Sequence, residues 1–220
     1  MHCASRKIDP VAITLISLTI FLALATSCTE RKPEQKAEIS NAADSLVVVQ
    51  VIDGDTFVLG SHKSVRIAMI DTPEKGEPLY HEATEYVTSL ILNRRVSLEP
   101  VGAGHDHYGR LLAEVLSDSL NIGYEVLKAG LGLIYIYSDN KYLIDKYLPA
   151  QVEAIDKKLG LWGLPEPLPE DFYINIKGSY RFHRPLCPHL KKVNPEKIVR
   201  YKSRLEALKR GLSPCRNCKP

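Results

Sequence analysis

The sequence lacks an apolar run long enough to cross a membrane comfortably. Its longest such run, residues 11–25, falls short of the roughly 20 residues that a transmembrane helix needs. Arg6 and Lys7 precede this run, an order that is typical of a secretory signal, so we exclude the segment from the fold. Residues 29–45 lack any apolar periodicity and are polar and charged, which predicts a flexible tether rather than folded structure.

The apolar run ends in small residues directly before Cys28. This arrangement resembles a bacterial lipoprotein signal, in which Cys28 would become the lipidated N-terminus. The sequence departs from that pattern at Ala25, where leucine is usual, so ordinary signal cleavage and an uncleaved N-terminal anchor stay open. We expect a signal over residues 1–27, a tether over 28–45, and an exported protein that is lipid-anchored to the membrane of the cell envelope or otherwise secreted.

The chain also lacks a strong net charge, but the small total hides an asymmetry. The formal charge is +3, whereas residues 172–220 contain 13 Lys and Arg against 2 Asp and Glu, a local charge of +11 that leaves −8 for the rest. Such a basic segment predicts a polyanionic partner, most simply nucleic acid. A solvated basic face, or binding to anionic lipid, stays open as an alternative.

The pattern of apolar residues predicts an α+β fold with a core. Hydrophobic residues make up 45% of the 220 residues. Alternating apolar residues predict strands within 46–59, 65–70, 96–98 and 111–116, and an extended run over 131–137. Three-and-four spacing predicts a helix over 81–92, with further helices over 122–128 and 143–159. The Pro-rich, acidic residues 164–171 predict a stiff spacer between a domain over 46–163 and a module over 172–220.

Two acidic turns suggest a metal site. The sequence VIDGDTFVL places Asp53 and Asp55 on either side of Gly54, and RIAMIDTPE brings Asp71, Thr72 and Glu74 together at the end of a strand. Carboxylate and carbonyl oxygens are the ligands that Ca²⁺ prefers. Asp-Gly-Asp alone is usually only a hairpin turn.

A third segment, HDHYGRLLAEV, adds Tyr108 and Arg110 ahead of another strand. Together the three segments resemble the thermonuclease family, also called staphylococcal-nuclease-like, over about residues 46–162. The resemblance implies a five-stranded OB-fold barrel with helices and calcium-dependent cleavage of phosphodiester bonds in DNA and RNA. It implies that Asp55, Asp71 and the Thr72 carbonyl bind Ca²⁺, that Glu74 orients or deprotonates the attacking water, that Arg66 and Arg110 hold the phosphate, and that Tyr108, Tyr135 and Tyr137 contact the substrate.

Three residues have weaker implied roles. Tyr135 and Tyr137 could equally be half-buried surface residues, and Asp53 is expected to support the metal through water or to shape its turn. His107 stands where the family commonly has lysine. A non-catalytic OB-fold module that only binds nucleic acid is the alternative function. The presence of the whole set of carboxylates and arginines favours the enzyme over that alternative.

The C-terminal segment contains a potential zinc site. His183, Cys187, Cys215 and Cys218 follow the spacing H-x3-C-x27-C-x2-C, which is similar to the zinc-binding N-terminal domain of the Ada DNA-repair proteins. His183 replaces the first cysteine of that pattern, which makes alkyl transfer doubtful and leaves a structural zinc module that contacts DNA. His189 is the competing fourth ligand, and a Cys215–Cys218 disulfide is the alternative to zinc. The insert predicts a helix that opens with Ser203 and Glu206 as a capping box and ends at Gly211.

Overall fold

The computed structural model describes residues 46–136, 141–166 and 168–220. The predicted signal over 1–27, Cys28, the predicted tether over 28–45 and Tyr137 lie outside these ranges. Within them, every helix is too short or too polar to span a bilayer. All the described residues belong to one compact unit.

A small barrel forms the first part of the fold. Its strands are β1 (Val48–Val51), β2 (Thr56–Leu59), β3 (Ser64–Ile67), β5 (Ser97–His105) and β6 (Leu111–Ser117), in the spatial order β1-β2-β3-β6-β5, with β7 (Leu120–Asn121) pairing to β6. The β3–β6 pair is parallel and the others are antiparallel. A bridge between Val47 and Arg95 joins the first strand to the start of β5 and closes the barrel. The predicted five-stranded OB-fold is confirmed.

Three helices cover the barrel, and each corresponds to a predicted one. They are α1 (Tyr80–Ile91), α2 (Ile122–Lys128) and α3 (Lys141–Asp156). Helix α1 buries Ala83, Val87 and Ile91, which recur every fourth residue and therefore lie on one face. Helix α3 ends earlier than predicted because Lys158 turns into a left-handed conformation with φ of 53°. A strand pair, β4 (Ile70–Asp71) with β8 (Leu133–Ile134), lies between the barrel and α3.

The basic C-terminal residues form a second sheet with one helix. The strands β9 (Tyr173–Ile176), β10 (Arg181–His183), β11 (Ile198–Tyr201) and β12 (Ser213–Pro214) lie in the order β11-β9-β10-β12, and α4 (Arg204–Lys209) follows β11. The Ser203 hydroxyl accepts a hydrogen bond from the Glu206 N–H at 3.1 Å, as the predicted capping box requires. The Glu206 carboxylate accepts from Lys202 N–H at 2.7 Å, one residue before the expected partner. Short 3₁₀ turns occur at Gly160–Gly163, Pro188–Leu190 and Pro195–Lys197.

The two parts share a hydrophobic core. Side chains from the end of α3 and from Trp162 pack with residues of the second sheet and α4 in one cluster: Ala154, Ile155, Trp162, Tyr173, Phe182, Ala207, Leu208 and Leu212. The segment predicted as a spacer contacts the second part, because the Tyr173 hydroxyl donates to Glu166 and Arg184 donates to both the Leu168 carbonyl and Glu170. The boundaries at 163 and 172 stay a prediction, but the flanking parts are in direct contact.

A single buried glutamine joins the two parts through hydrogen bonds. Gln151 on α3 is fully buried, its Oε1 accepts from the Ile134 N–H at 2.7 Å, and its Nε2 donates to the Leu208 carbonyl at 2.9 Å. Buried backbone groups without a partner cost free energy. Gln151 therefore satisfies one group on each side of the contact.

We expect Gln151→Ala to lower the free energy of unfolding by about 2 kcal/mol or more, because it leaves an N–H and a carbonyl buried without partners. Urea titrations at fixed metal concentration measure this difference. Gln50→Ala, which removes the same side chain from an exposed position on β1, is the control and should change stability by less than about 0.5 kcal/mol. Equal effects of the two substitutions would contradict this role for Gln151.

Candidate active site and metal centre

The Asp53–Asp55 turn lies against the loop after β4 because Gly54 has no side chain. A Cβ atom at Gly54 would lie 2.8 Å from the Thr72 hydroxyl and 2.9 Å from the Ala83 Cβ, closer than atoms can approach. Within the turn, Asp53 Oδ1 accepts a hydrogen bond from the Asp55 N–H at 3.0 Å, which directs Asp55 towards the loop.

Asp55 links the two acidic turns that the sequence singled out. Its Oδ2 accepts from the Thr72 N–H at 3.0 Å and from the Thr72 hydroxyl at 3.1 Å. Asp55 and Thr72 are both buried. The structure therefore brings these two predicted calcium-binding residues into contact, although 17 positions separate them in the chain.

A buried arginine lies between the predicted metal-binding carboxylates. Nη2 of Arg66 is 2.9 Å from Asp55 Oδ2 and 2.8 Å from Asp71 Oδ1, and Nη1 donates to the Ile67 carbonyl at 2.8 Å. The Arg66 side chain is only 3% exposed. Moving any of the three side chains away would leave a buried charge without its partner, which costs free energy. The three side chains therefore fix one another's positions.

Two carboxyl groups at this end of the barrel have raised pKa values. Burial, followed by repulsion from Asp55, raises the pKa of Asp53 to about 6. Burial also raises the pKa of Asp71, although the charge of Arg66 opposes that shift. A divalent cation would relieve both penalties, and carboxylate and carbonyl oxygens are suitable calcium ligands. The residues present thus fit the predicted Ca²⁺ ion.

Arg110 is joined to this cluster through Thr56. Its Nη1 donates to the Thr56 hydroxyl at 3.0 Å, and that hydroxyl donates to Asp55 Oδ1 at 3.0 Å. On its other side, Arg110 Nε binds Asp106 Oδ2 at 2.7 Å. Predicted phosphate-binding and metal-binding residues therefore belong to one hydrogen-bonded chain.

Sequence reasoning missed both Asp106 and Thr56. Asp106 Oδ1 accepts from the N–H groups of Tyr108 and Arg110 at 2.9 and 3.0 Å, so it shapes the loop that presents Arg110. Burial acts to raise the pKa of Asp106, but hydrogen bonds from Arg110 outweigh it and lower that pKa. An aspartate three residues before Gly109 is the usual signal of such a turn and could have identified it.

Two predicted site residues lie in exposed positions. Tyr108 is 71% exposed and stacks on His107 with ring centroids 3.7 Å apart. Glu74 is also exposed; its backbone N–H donates to the Glu77 carboxylate at 2.9 Å, and its carbonyl accepts from the Glu77 N–H at 2.8 Å. Both side chains are thus accessible to a substrate.

Tyr135 is covered rather than open. It is 7% exposed, and the guanidinium carbons of Arg181 and Arg216 lie 3.9 and 4.4 Å from its ring centroid. Both arginines come from the C-terminal part of the chain. The contact between Tyr135 and a substrate base stays a prediction, and in this structure the two arginines cover the ring.

The four predicted zinc ligands converge. Ligand atoms of His183, Cys187, Cys215 and Cys218 all lie within 4.8 Å of one another, and His183 Nδ1 is 3.3 Å from Cys187 Sγ. Around a tetrahedral zinc, bonds of about 2.1–2.3 Å separate neighbouring ligand atoms by roughly 3.5–4 Å. The cluster among the described residues does not include His189, and the three thiols are free rather than joined in a disulfide.

The chemistry of these donors fits zinc. Burial lowers the pKa of His183, which keeps its imidazole neutral and able to coordinate a metal. Burial raises the pKa of the Cys218 thiol to about 12, so without a metal this thiol is protonated at neutral pH. Three sulfurs and one imidazole nitrogen in a buried position are a typical structural zinc set.

Comparison with known proteins agrees with the geometry of the barrel. Residues 64–163 match the family model described as staphylococcal nuclease homologue. The chain is 36% identical to an uncharacterized endonuclease of Escherichia coli over 127 residues, which are 56% of this chain and 79% of that protein. It is 29% identical to a thermonuclease of Staphylococcus hyicus over 167 residues, which are 71% of this chain and 98% of that protein. It is 32% identical to endonuclease YncB of Bacillus subtilis over 145 residues, which are 59% of this chain and 69% of that protein.

The family match covers the segments that contain Arg66, Asp71 and Arg110, whereas the Asp53–Thr56 turn that completes the acidic cluster lies before its first residue. The resemblance of the C-terminal part to Ada proteins stays a prediction. The chain belongs to the staphylococcal nuclease family of hydrolytic nucleases.

Proposed function

We propose that this nuclease is a calcium-dependent endonuclease that hydrolyses phosphodiester bonds in DNA and RNA. The observation that carries the proposal is the chain of contacts from Asp71 through Arg66 and Asp55 to Thr56 and Arg110. It holds oxygen ligands for a hard cation beside two guanidinium groups, which is the combination that an anionic substrate requires.

Each predicted residue has a defined task in this reaction. Arg110 donates to phosphate oxygens, because a planar guanidinium can form two hydrogen bonds to one phosphate and stays charged. Arg66, which the family resemblance assigns to the phosphate, contacts Asp55 and Asp71, so its task is to hold these carboxylates and to add positive charge beside them. Glu74, at the exposed edge, orients or deprotonates the attacking water. Asp55, Asp71 and the Thr72 carbonyl would hold calcium, which would supply positive charge that favours the negative transition state.

We also propose that zinc holds the C-terminal part together and that this part aids nucleic-acid binding. Support comes from the convergence of His183 with three free cysteines and from the charge of +11 over residues 172–220. Positive charge on a nuclease favours contact with the phosphate backbone and makes binding depend on salt.

Export and lipid attachment through Cys28 are the last element of the proposal. They are supported by the basic residues, the apolar run and the small residues that precede Cys28. A lipid chain would place the nuclease at the surface of a membrane.

We expect the purified chain to cut plasmid DNA and single-stranded RNA in calcium and to be inactive in chelator. Arg110→Ala and Glu74→Gln should each lower the turnover number by two orders of magnitude or more, because each removes about 3 kcal/mol of transition-state stabilisation. Initial rates at saturating substrate measure this loss.

The matched controls are Arg94→Ala, which removes an exposed guanidinium paired with Asp118, and Glu85→Gln, which neutralises an exposed carboxylate on α1. Both should retain the wild-type rate. A wild-type rate in Arg110→Ala or Glu74→Gln would remove that residue from the catalytic machinery, and activity in chelator would overturn calcium dependence.

Zinc removal provides a separate test. The metal-free chain should take up one zinc per chain, with affinity that falls as the pH falls, because the metal must displace thiol protons. His183→Ala should lose the zinc and His189→Ala should keep it, as metal analysis after dialysis would show. If His183→Ala kept the zinc and His189→Ala lost it, the fourth zinc ligand would be His189 and not His183.

The lipid anchor predicts that the chain fractionates with membranes and that Cys28→Ala releases it. Incorporation of labelled fatty acid into the wild-type chain, and its absence from Cys28→Ala, is the direct measurement. Cys3→Ala is the control, since Cys3 precedes the apolar run and should not alter either result. If the wild-type chain incorporated no labelled fatty acid, the proposal of lipid attachment would fail and ordinary secretion would take its place.

A further inference from the structure

An arginine from the C-terminal part reaches the acidic cluster of the barrel. Arg216 lies between two of the predicted zinc ligands, Cys215 and Cys218, and its Nη2 is 3.0 Å from Asp71 Oδ1, across 145 positions of sequence. Its side chain is 50% exposed, whereas that of Arg66 on the same Asp71 oxygen is 3% exposed. Arg216 is therefore at the open surface of the site, where a substrate would approach.

The backbone around Arg216 is fixed to the nuclease core. Ser213 Oγ accepts from the Ile136 N–H at 3.2 Å, and the Ser213 N–H donates to the Tyr180 carbonyl at 2.8 Å. Cys215 N–H donates to the Phe182 carbonyl at 3.0 Å, and the Arg216 guanidinium lies on the Tyr135 ring. The position of Arg216 is thus set by paired strands and by a cation–π contact.

A second arginine lies beside it with its charge not neutralised. Arg181 Nη2 donates to the Ile136 carbonyl at 2.6 Å and its guanidinium stacks on Tyr135. In the part of the chain that the structure describes, no carboxylate forms an ion pair with Arg181, and its Nη1 has no hydrogen-bond acceptor. Two guanidinium groups thus lie on one ring, and the charge of Arg181 attracts an anion to this position.

A groove opens where these arginines meet. Its volume is about 470 Å³, and its lining includes Ser179, Arg181, His189, Arg216 and Asn217. These side chains are donors suited to phosphate oxygens. Arg216 therefore lines this groove and also contacts Asp71 of the acidic cluster.

The relative strength of the two Asp71 contacts indicates which arginine can exchange partners. The Arg216 side chain is 50% exposed and that of Asp71 is 24% exposed, so water screens this ion pair more than it screens the pair of Asp71 with Arg66, which is 3% exposed. A guanidinium gains more from two charge-assisted hydrogen bonds to a phosphate. Arg216 can therefore move from Asp71 to a substrate phosphate at low cost, whereas the buried Arg66 cannot leave its carboxylates.

We propose that Arg216 and Arg181 form a phosphate-binding subsite of the nuclease, which holds a phosphate of the nucleic-acid strand next to the one being cut. The C-terminal part then completes the active site by direct contact with the substrate. This inference rests on the proposed phosphodiesterase function. A subsite of this kind differs from long-range attraction by a basic segment, because it requires two particular arginines that contact one phosphate position on the nucleic-acid strand.

The test uses the full chain loaded with calcium and zinc, and short single-stranded oligonucleotides of one sequence. Arg216→Ala and Arg181→Ala should each lower kcat/KM by about 10- to 100-fold, as expected for lost charge-assisted hydrogen bonds. Lys219→Ala, which removes one exposed positive charge from the same turn, should lower kcat/KM less than about threefold. Zinc content and melting temperature, equal to wild type, show that the variants are folded.

A second series replaces single phosphates near the cut by neutral methylphosphonates. The wild-type enzyme should lose 10-fold or more at one position, and Arg216→Ala should lose nothing further there, because the contact is already absent. An equal loss in both proteins at every position would overturn the subsite. A higher rate or a lower calcium requirement in Arg216→Ala would overturn it also, and would identify Arg216 as a cation that competes with calcium for Asp71.

The failure of this inference is distinguishable from failure of the proposed function. If the wild-type chain cuts and Arg110→Ala does not, while Arg216→Ala matches wild type, only the subsite fails. If the wild-type chain loaded with calcium and zinc has no activity, the proposed function itself fails.

Discussion

The buried arrangement of Asp55, Arg66 and Asp71 determines how the rest of the active site is built. One guanidinium nitrogen contacts both carboxylates, at 2.9 and 2.8 Å, so the turn after β1 and the loop after β4 cannot move independently. The close approach of Gly54 to Thr72 reinforces the same junction. Since buried charges are costly unless paired, the pairing itself selects one arrangement of the two loops. Every other site contact, including those of Arg110 through Thr56, adds to this junction.

The C-terminal part is attached to the nuclease barrel by contacts of three kinds. Trp162 and Phe182 belong to one apolar cluster, Gln151 supplies hydrogen bonds to both sides, and two arginines stack on Tyr135. Apolar contacts supply most of the stability, whereas the polar ones fix the orientation. Orientation is what matters for Arg216, since a guanidinium displaced by a few ångströms would no longer reach Asp71.

Much of the site could be predicted from the sequence because its parts are local. Asp55 and Asp71 each lie in a turn next to a strand, and the four predicted zinc ligands come in two short pairs, so these local patterns, together with the family resemblances, predicted the residues of both sites. The helix over 81–92 was visible from its periodicity, and its observed form buries the expected face. Asp106 was not predicted, because an aspartate before a glycine indicates only a turn, whereas the bond of Asp106 to the Arg110 side chain depends on the conformation of the folded loop.

The contact between Arg216 and Asp71 could not be predicted in this way. It joins positions 145 residues apart, and it depends on how two apolar surfaces pack, for which no local pattern exists. The same packing covers Tyr135 and brings the Pro-rich segment into contact with Tyr173 and Arg184. These contacts restrain the segment, and its composition alone did not predict them.

The long sequence separation has a consequence for the order of assembly. Synthesis of a chain is vectorial, and domains begin to fold as they emerge. Asp55, Arg66 and Asp71 leave the ribosome long before Arg216, so the acidic cluster can pair internally while its later partner is still unavailable. Closure of the site by Arg216 is therefore a late step in the maturation of this protein.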